Sequence, residues 1–286
     1  FLLGFGLKSA IVPFHSWLPD AHPSAPAPIS AMLSGVLVKS LGIYALVRIM
    51  FNIFGATAPI LRILVILGII SMVVGGLLAL YQKDLKRLLA YSTVSQVGYI
   101  IFAFGLGTPL GIFAGLFHLV NHAVAKTLLF LNSGSIVYST KERDLEKLGG
   151  LKEKMPVTAA TSLIGAMSIS GIPPVGGFWS KLVIILAAVN AKHFTGAFIA
   201  ILISVITLAY YLKLQKLTFF GKLNEKFQNI KESPVLMCIS MIMLAGICIF
   251  LGLVLLPGIK EVFLDPAVNV LQNGVEYSRL VFENIK

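Results

Sequence analysis

Three residues near the middle of the chain could hand a proton along a line: His118, His122 and Lys126, spaced four apart. In a helix, at about 100° per residue, positions i, i+4 and i+8 stack on one face. Histidine titrates near neutral pH, and a row of titratable groups passes protons when water links them. The bland alternative is a buried histidine pair bonded to nearby hydroxyls. Lys126 on the same face favours the relay, because an ammonium in a bilayer interior costs at least ~2.5–3.5 kcal/mol. A His-x3-His pair could also bind a metal, but no carboxylate or thiol stands near it, so no metal is expected.

Lys8, Lys39 and Lys181 also stand inside apolar segments. Snorkelling to an interface explains a lysine near a helix end. It explains Lys39 poorly, ten residues into its span, and Lys126 poorly, about seventeen into a long one. Lys8 and Lys181 each adjoin a helix break. One break follows Lys8-Ser9-Ala10-Ile11-Val12-Pro13; the other is Gly171-Ile172-Pro173-Pro174-Val175-Gly176-Gly177. Irregular backbone at membrane depth is tolerated only where it is buried or lines water, and paired broken helices point to a transport site. Ordinary proline kinks would account for the breaks but not for a lysine beside each. Asp84 opens a helix at its favourable, positive end. The hydroxyls and amide of Ser92, Thr93, Ser95, Gln96 and Tyr99 read as structural or water-organising.

The elements that must position these residues are membrane helices. The 286 residues are 57% hydrophobic and 12% charged, with mean hydropathy +0.91; a soluble domain is typically about 25% charged. Runs 58–80 and 235–256 are long enough to cross roughly 30 Å of hydrocarbon. Expected spans are a partial helix over 1–11, a short piece over roughly 13–20, and helices at 29–50, 58–82, 86–106 and 109–138. A charged loop covers 139–155. The broken segment 156–192 and spans 194–217 and 234–257 follow. The tail, 260–286, has mixed polarity and suits an amphipathic surface helix. In domain terms, 1–28 closes one repeat with its broken helix and connecting loop, 29–257 is the bundle with its break near 171–178, and 258–286 is the tail. The chain opens inside an apolar helix with no signal peptide visible, and so reads as part of a longer protein.

Thirteen of the 23 Lys and Arg residues fall on the side where the 29–50 helix starts, side A, against six on the opposite side B. The positive-inside rule makes side A cytoplasmic, including loops 83–87, 141–154 and 213–231, and puts the C-terminus outside a cell (plasma) membrane. The net charge of +11 is therefore a topology signal, and no nucleic acid partner is expected. Cys238 and Cys248 share one apolar run and read as packing residues.

Lys8-Ser9-Ala10 through Trp17-Leu18-Pro19-Asp20-Ala21, Ala27-Pro28-Ile29-Ser30-Ala31, Asp84 to Tyr99, His118 to Lys126 and Gly171 to Lys181 together resemble a known family. It is that of the antiporter-like subunits of respiratory complex I, Mrp-type Na⁺/H⁺ antiporters and membrane-bound hydrogenases. The resemblance covers about residues 1–220 and looks most like the Mrp D-type subunit, from its seventh helix to its fourteenth. It implies an all-α polytopic transmembrane bundle, part of a fourteen-helix fold with two inverted repeats, each with a broken helix. It further implies that Lys8 is the lysine of the first broken helix, Lys39 that of the next helix, His118, His122 and Lys126 the central relay, and Lys181 the ionisable residue of the second broken helix. The family's glutamate that pairs with the first lysine has no counterpart here. The acids of this sequence all fall near side A or side B. An acidic partner for Lys8 is thus expected from missing N-terminal helices or a neighbouring subunit.

The resulting expectation is a proton-translocating, antiporter-like membrane subunit of a redox-driven pump or Mrp-type cation/proton antiporter, working beside other membrane subunits. No cofactor is expected: cysteine clusters, a dinucleotide glycine motif and a haem ligand pair do not occur, so any enzyme would be the assembly. One rival is a secondary carrier for an organic solute, which would need substrate-specific polar groups at breaks that are here apolar apart from lysine and serine. Another is a redox-silent structural subunit, for which four interior lysines are an unnecessary cost.

Overall fold

Two short helices, α1 (Leu2–Ser9) and α2 (Trp17–Ser24), lead into a row of long ones. The computed structural model describes residues 1–255, 261, 264–272 and 279, and no strand occurs among the described residues. The long helices are α3 (Ala27–Asn52), α4 (Ala58–Tyr81), α5 (Leu85–Gly105) and α6 (Pro109–Thr140). After them come α7 (Pro156–Ser170), α8 (Gly176–Asn190), α9 (Phe194–Thr218), α10 (Val235–Leu253) and a short α11 (Asp265–Gln272). Six of these, α3 to α6, α9 and α10, are long and apolar enough to cross a membrane. α7 and α8 are each shorter and meet at the second break.

Local chemistry sets these boundaries. Asp84 caps α5, its Oδ1 accepting from Lys86 N and Arg87 N at 2.9 Å each. Thr108 caps α6 through Gly111 N at 3.1 Å. Pro109 and Pro156 open their helices, where the missing N–H costs nothing. Gly171 ends α7 in the left-handed conformation at φ 79°, its N–H and that of Ile172 both returning to Met167 O at 3.0 Å. Ala10 ends α1 in the same left-handed conformation, at φ 55°.

The short second piece expected at 13–20 is instead a turn over 12–16 followed by helix to Ser24. Pro13 cannot donate to a helical ladder, so the regular helix resumes only at Trp17. α3 is longer at both ends than expected and is wound as a π-helix from Leu33 to Tyr44, which repositions the side chains in its middle. Of the proposed tail, Asp265–Gln272 is helical; most of 258–286, including Lys286, lies outside the described residues.

α5 is the buried centre of the bundle: every residue from Ser92 to Gly105 is enclosed. It lies against α4 at backbone distance, because a Cβ on Gly68 would stand 2.5 Å from Phe102 N and one on Gly98 would meet Met72 N. Small residues at such seams let membrane helices approach closely. On side A, Arg87 pairs with Asp20 at 2.5 Å, and Lys83 pairs with Glu146 at 2.9 Å. Two more cations close the C-terminal end of α2: Arg143 donates to Pro23 O and Lys86 to Ala25 O, both at 2.7 Å. Lys86, counted from the sequence among the side-A loop cations, is therefore buried beneath α2.

Candidate functional site

The one-face stacking expected of α6 is realised. His118 and His122 lie with rings parallel to within 7° and centroids 6.1 Å apart, and both are buried together with Lys126. α3 runs antiparallel to α6. Gly35 lets the two backbones close in, since a Cβ there would meet Ala123 O at 3.3 Å and would overlap Thr127. Lys39 sits one turn further along α3 and curls back to donate to Ser34 O, which brings its ammonium towards the level of Lys126.

From that point a continuous run of polar contacts follows. Ser34 Oγ lies 2.9 Å from Thr93 Oγ1, and Thr93 Oγ1 donates to Leu89 O at 3.0 Å. Lys126 Nζ donates to the same Leu89 O at 2.9 Å and to Tyr211 OH at 3.0 Å. Tyr211 OH stands 3.1 Å from Ser92 Oγ, which Tyr210 OH also reaches at 2.9 Å.

About two turns from Lys126 towards side B, His118 Nδ1 is 2.9 Å from Ser180 Oγ and His118 Nε2 is 3.2 Å from Gln96 Oε1. Lys181 follows Ser180 at once, with its Nζ 4.8 Å over the Tyr99 ring. Tyr99 OH in turn donates to Ala200 O at 2.5 Å on α9. The second break makes this possible. α8 restarts at Gly176, and Gly177 packs directly on Ser168 of α7, so Ser180 and Lys181 turn inward towards α6.

The structure thus brings five of the six sequence-derived residues into one enclosed file: Lys39, Lys126, His122, His118 and Lys181, the lysines 2%, 0% and 3% exposed respectively. Lys8 is not in it. Its side chain, in the last turn of α1, is exposed on the outside of the described residues. The ammonium groups of Lys39 and Lys126 are met by carbonyl and phenol oxygens, not by carboxylates. Both nitrogens of His122, Gln96 Nε2 and Lys181 Nζ have no hydrogen-bond partner among the described residues. Buried polar atoms of this kind are where ordered water makes its bonds.

Several members of the file were not singled out from the sequence. Tyr210 and Tyr211 are buried hydroxyl-bearing aromatics in an apolar helix, and a pair of phenols in such a run is the signal that marks them in the sequence. Ser34 gave no signal until the π-helical turn aimed it at Thr93. His22 is also buried, stacked on Phe130 at 4.3 Å, and neither of its nitrogens has a hydrogen-bond partner among the described residues.

Comparison with known proteins gives a consistent picture. The family described as NADH:quinone oxidoreductase/Mrp antiporter, transmembrane, matches residues 1–207. Hydrogenase-4 component B of Escherichia coli (strain K12) is 38% identical over 276 residues, covering 87% of this chain and 41% of its own length. A chain from the Mrp complex of Dietzia sp. DQ12-45-1b superposes with a TM-score of 0.87 at 28% identity, over 96% of this chain and 58% of that one. A chain of respiratory complex I from Thermus thermophilus gives 0.84 at 26% identity, over 96% and 57%. The chain therefore spans less than half the length of that curated relative.

Proposed function

Because the chain belongs to the NADH:quinone oxidoreductase/Mrp antiporter transmembrane family, we propose that it is a proton-translocating, antiporter-like subunit of a multi-subunit membrane complex. The observation that carries this reading is the enclosed file of three lysines and two histidines strung along hydrogen-bonding groups of α3, α5, α6, α8 and α9. Cations placed at this depth without carboxylates are expensive for a merely structural subunit.

In the proposed cycle each site gives up one proton to its neighbour and regains one from the other side. A lysine that has passed its proton on becomes the acceptor for the next, so charge moves while every N–H bond broken is re-formed by the end of the cycle. Lys39 and Lys126 communicate through Ser34, Thr93 and Leu89 O. His122 bridges to His118, and Ser180 continues to Lys181. Tyr99 and Gln96 hold the side-B end in register.

Further parts belong to the same reading. Lys8 takes its acidic partner from another segment or a neighbouring subunit, and side A, with its loops at 83–87, 141–154 and 213–231, is the cytoplasmic face of a cell membrane. The 1–28, 29–257 and 258–286 division stands as the corresponding domain proposal.

The test uses the whole purified complex in proteoliposomes containing a pH-sensitive dye. Lys39→Met and His118→Phe complexes are expected to assemble yet translocate protons at background rates. Normal translocation by both variants would remove the file from the mechanism. For Lys8, a structure of the complete complex decides: a carboxylate should stand within about 6 Å, directly or through one water.

A further inference from the structure

We propose that a second proton route joins the side-A surface to Lys126 along the seam between α6, α7 and α9, with Glu232 at its mouth. The proposal rests on the reading of Lys126 as a proton carrier. Glu232 lies in the loop before α10 and is half-buried. Its Oε2 accepts from Val157 N at 2.8 Å and Thr158 N at 3.2 Å, at the start of α7, and its Oε1 accepts from Thr158 Oγ1 at 2.6 Å. Thr158 Oγ1 lies 2.7 Å from Ser135 Oγ on α6. One turn deeper, Thr161 Oγ1 donates to Asn132 Oδ1 at 3.0 Å, and Gln215 Nε2 on α9 donates to Ser162 Oγ at 2.9 Å. One turn further along α9, about 6 Å on, is Tyr211, whose hydroxyl accepts from Lys126 Nζ at 3.0 Å.

The order of these residues is what a path requires. α6 and α9 end on side A and α7 begins there, so Ser135, Thr158 and Thr218 are nearest that surface, and Lys126 and Tyr211 are deepest. Hydrogen bonds between membrane helices also serve as glue. Glue would leave its groups paired. Asn132 Nδ2, Gln215 Oε1 and Thr218 Oγ1 are buried and have no hydrogen-bond partner among the described residues. A donor, an acceptor and a hydroxyl left open in one enclosed seam offer water the several partners it needs to remain ordered. None of these residues belongs to the Lys39–Lys181 file.

The transfer balances without any co-reactant. A proton from side A binds the Glu232 carboxylate. Glu232 gives it to the Thr158 hydroxyl as Thr158 releases its own proton to Ser135, and the hydroxyls return to their starting state by rotation. The amides of Asn132 and Gln215 carry no proton; they hold the water that completes the step to Tyr211 and the neutral Lys126 amine.

Thr158→Val keeps the shape and removes the hydroxyl, whereas Thr158→Ser keeps the hydroxyl. Gln215→Met removes the amide and keeps an unbranched side chain of the same length. In the assembled complex in proteoliposomes, Thr158→Val and Gln215→Met are expected to slow translocation by about tenfold or more. Thr158→Ser should stay within about twofold of the parent. Parent-like rates in Thr158→Val and Gln215→Met overturn the route, as does a Thr158→Ser complex as slow as Thr158→Val. If Thr158→Val does not assemble, Gln215→Met decides by itself. A parallel Lys126→Met complex separates the two readings. If it is inactive while the seam variants are normal, only the seam route falls; if it translocates normally, the role of Lys126 falls as well.

Discussion

Replacing Lys126 by methionine removes the ammonium and keeps an unbranched side chain of similar length. Both groups that lose a donor keep another partner: Leu89 O still accepts from Thr93 Oγ1 at 3.0 Å, and Tyr211 OH stays 3.1 Å from Ser92 Oγ. No buried acceptor is orphaned, so the loss is two charge-assisted hydrogen bonds at ~1.5–3 kcal/mol each. Against it stands the release of a buried cation that no carboxylate among the described residues compensates, an effect of several kcal/mol. The two nearly cancel, and the complex should assemble with a stability change of about 2 kcal/mol or less. Translocation should not survive. A positioned acid–base group contributes typically ~10²–10⁴-fold, so the rate should drop at least ~100-fold, equivalent to ~2.7 kcal/mol on the barrier. The assay is dye acidification in proteoliposomes beside a thermal melt of the same preparation. Lys126→Arg is the decisive control: its guanidinium keeps the charge but does not release a proton in the working range. An arginine complex that translocates at the parent rate refutes the relay at this position and makes Lys126 an electrostatic fixture.

Single cysteines at Lys147 and Lys226 should be shielded from an impermeant thiol reagent on intact cells, while one at Lys286 reacts; the opposite pattern inverts the proposed topology. Gly98→Leu places a side chain against the Met72 backbone, which has no room to yield, so a cost above the usual ~1–3 kcal/mol of overpacking is expected. Size-exclusion profiles of the variant complex should show lost assembly. On side A, the backbone N–H groups of Asp144 and Arg143 hold the Glu142 carboxyl below the usual carboxylate range. With the folded value depressed, this stabilisation is full above the ordinary carboxylate pKa and is lost as pH falls through the lower folded one. Amide-exchange protection at Asp144 should weaken on acidification in the parent and not in Glu142→Gln.

The sequence determined by itself that the chain is a set of membrane helices, because apolar run length is a local property that bilayer thickness converts directly into a span. It also determined that His118, His122 and Lys126 share a face, because helical periodicity within one element needs no partner. Both breaks were legible for a similar reason: Pro13 and the Gly171–Gly177 run disrupt a helix through their own backbone chemistry. What lies between elements was not legible. That Lys39 turns back to Ser34 depends on the π-helical winding of α3, which no residue type announces. That Ser180 meets His118, and Tyr211 meets Lys126, depends on how α8 and α9 are seated against α6. Lys8 and Lys181 look alike in the sequence, each beside a break, yet among the described residues α6 and α5 enclose Lys181 while no element covers Lys8. The physical reason is that depth and partnership are properties of packing: a lysine costs the same to place in an apolar run wherever it stands, and only the neighbouring helices decide whether it faces oxygen, an aromatic ring or the outside of the bundle.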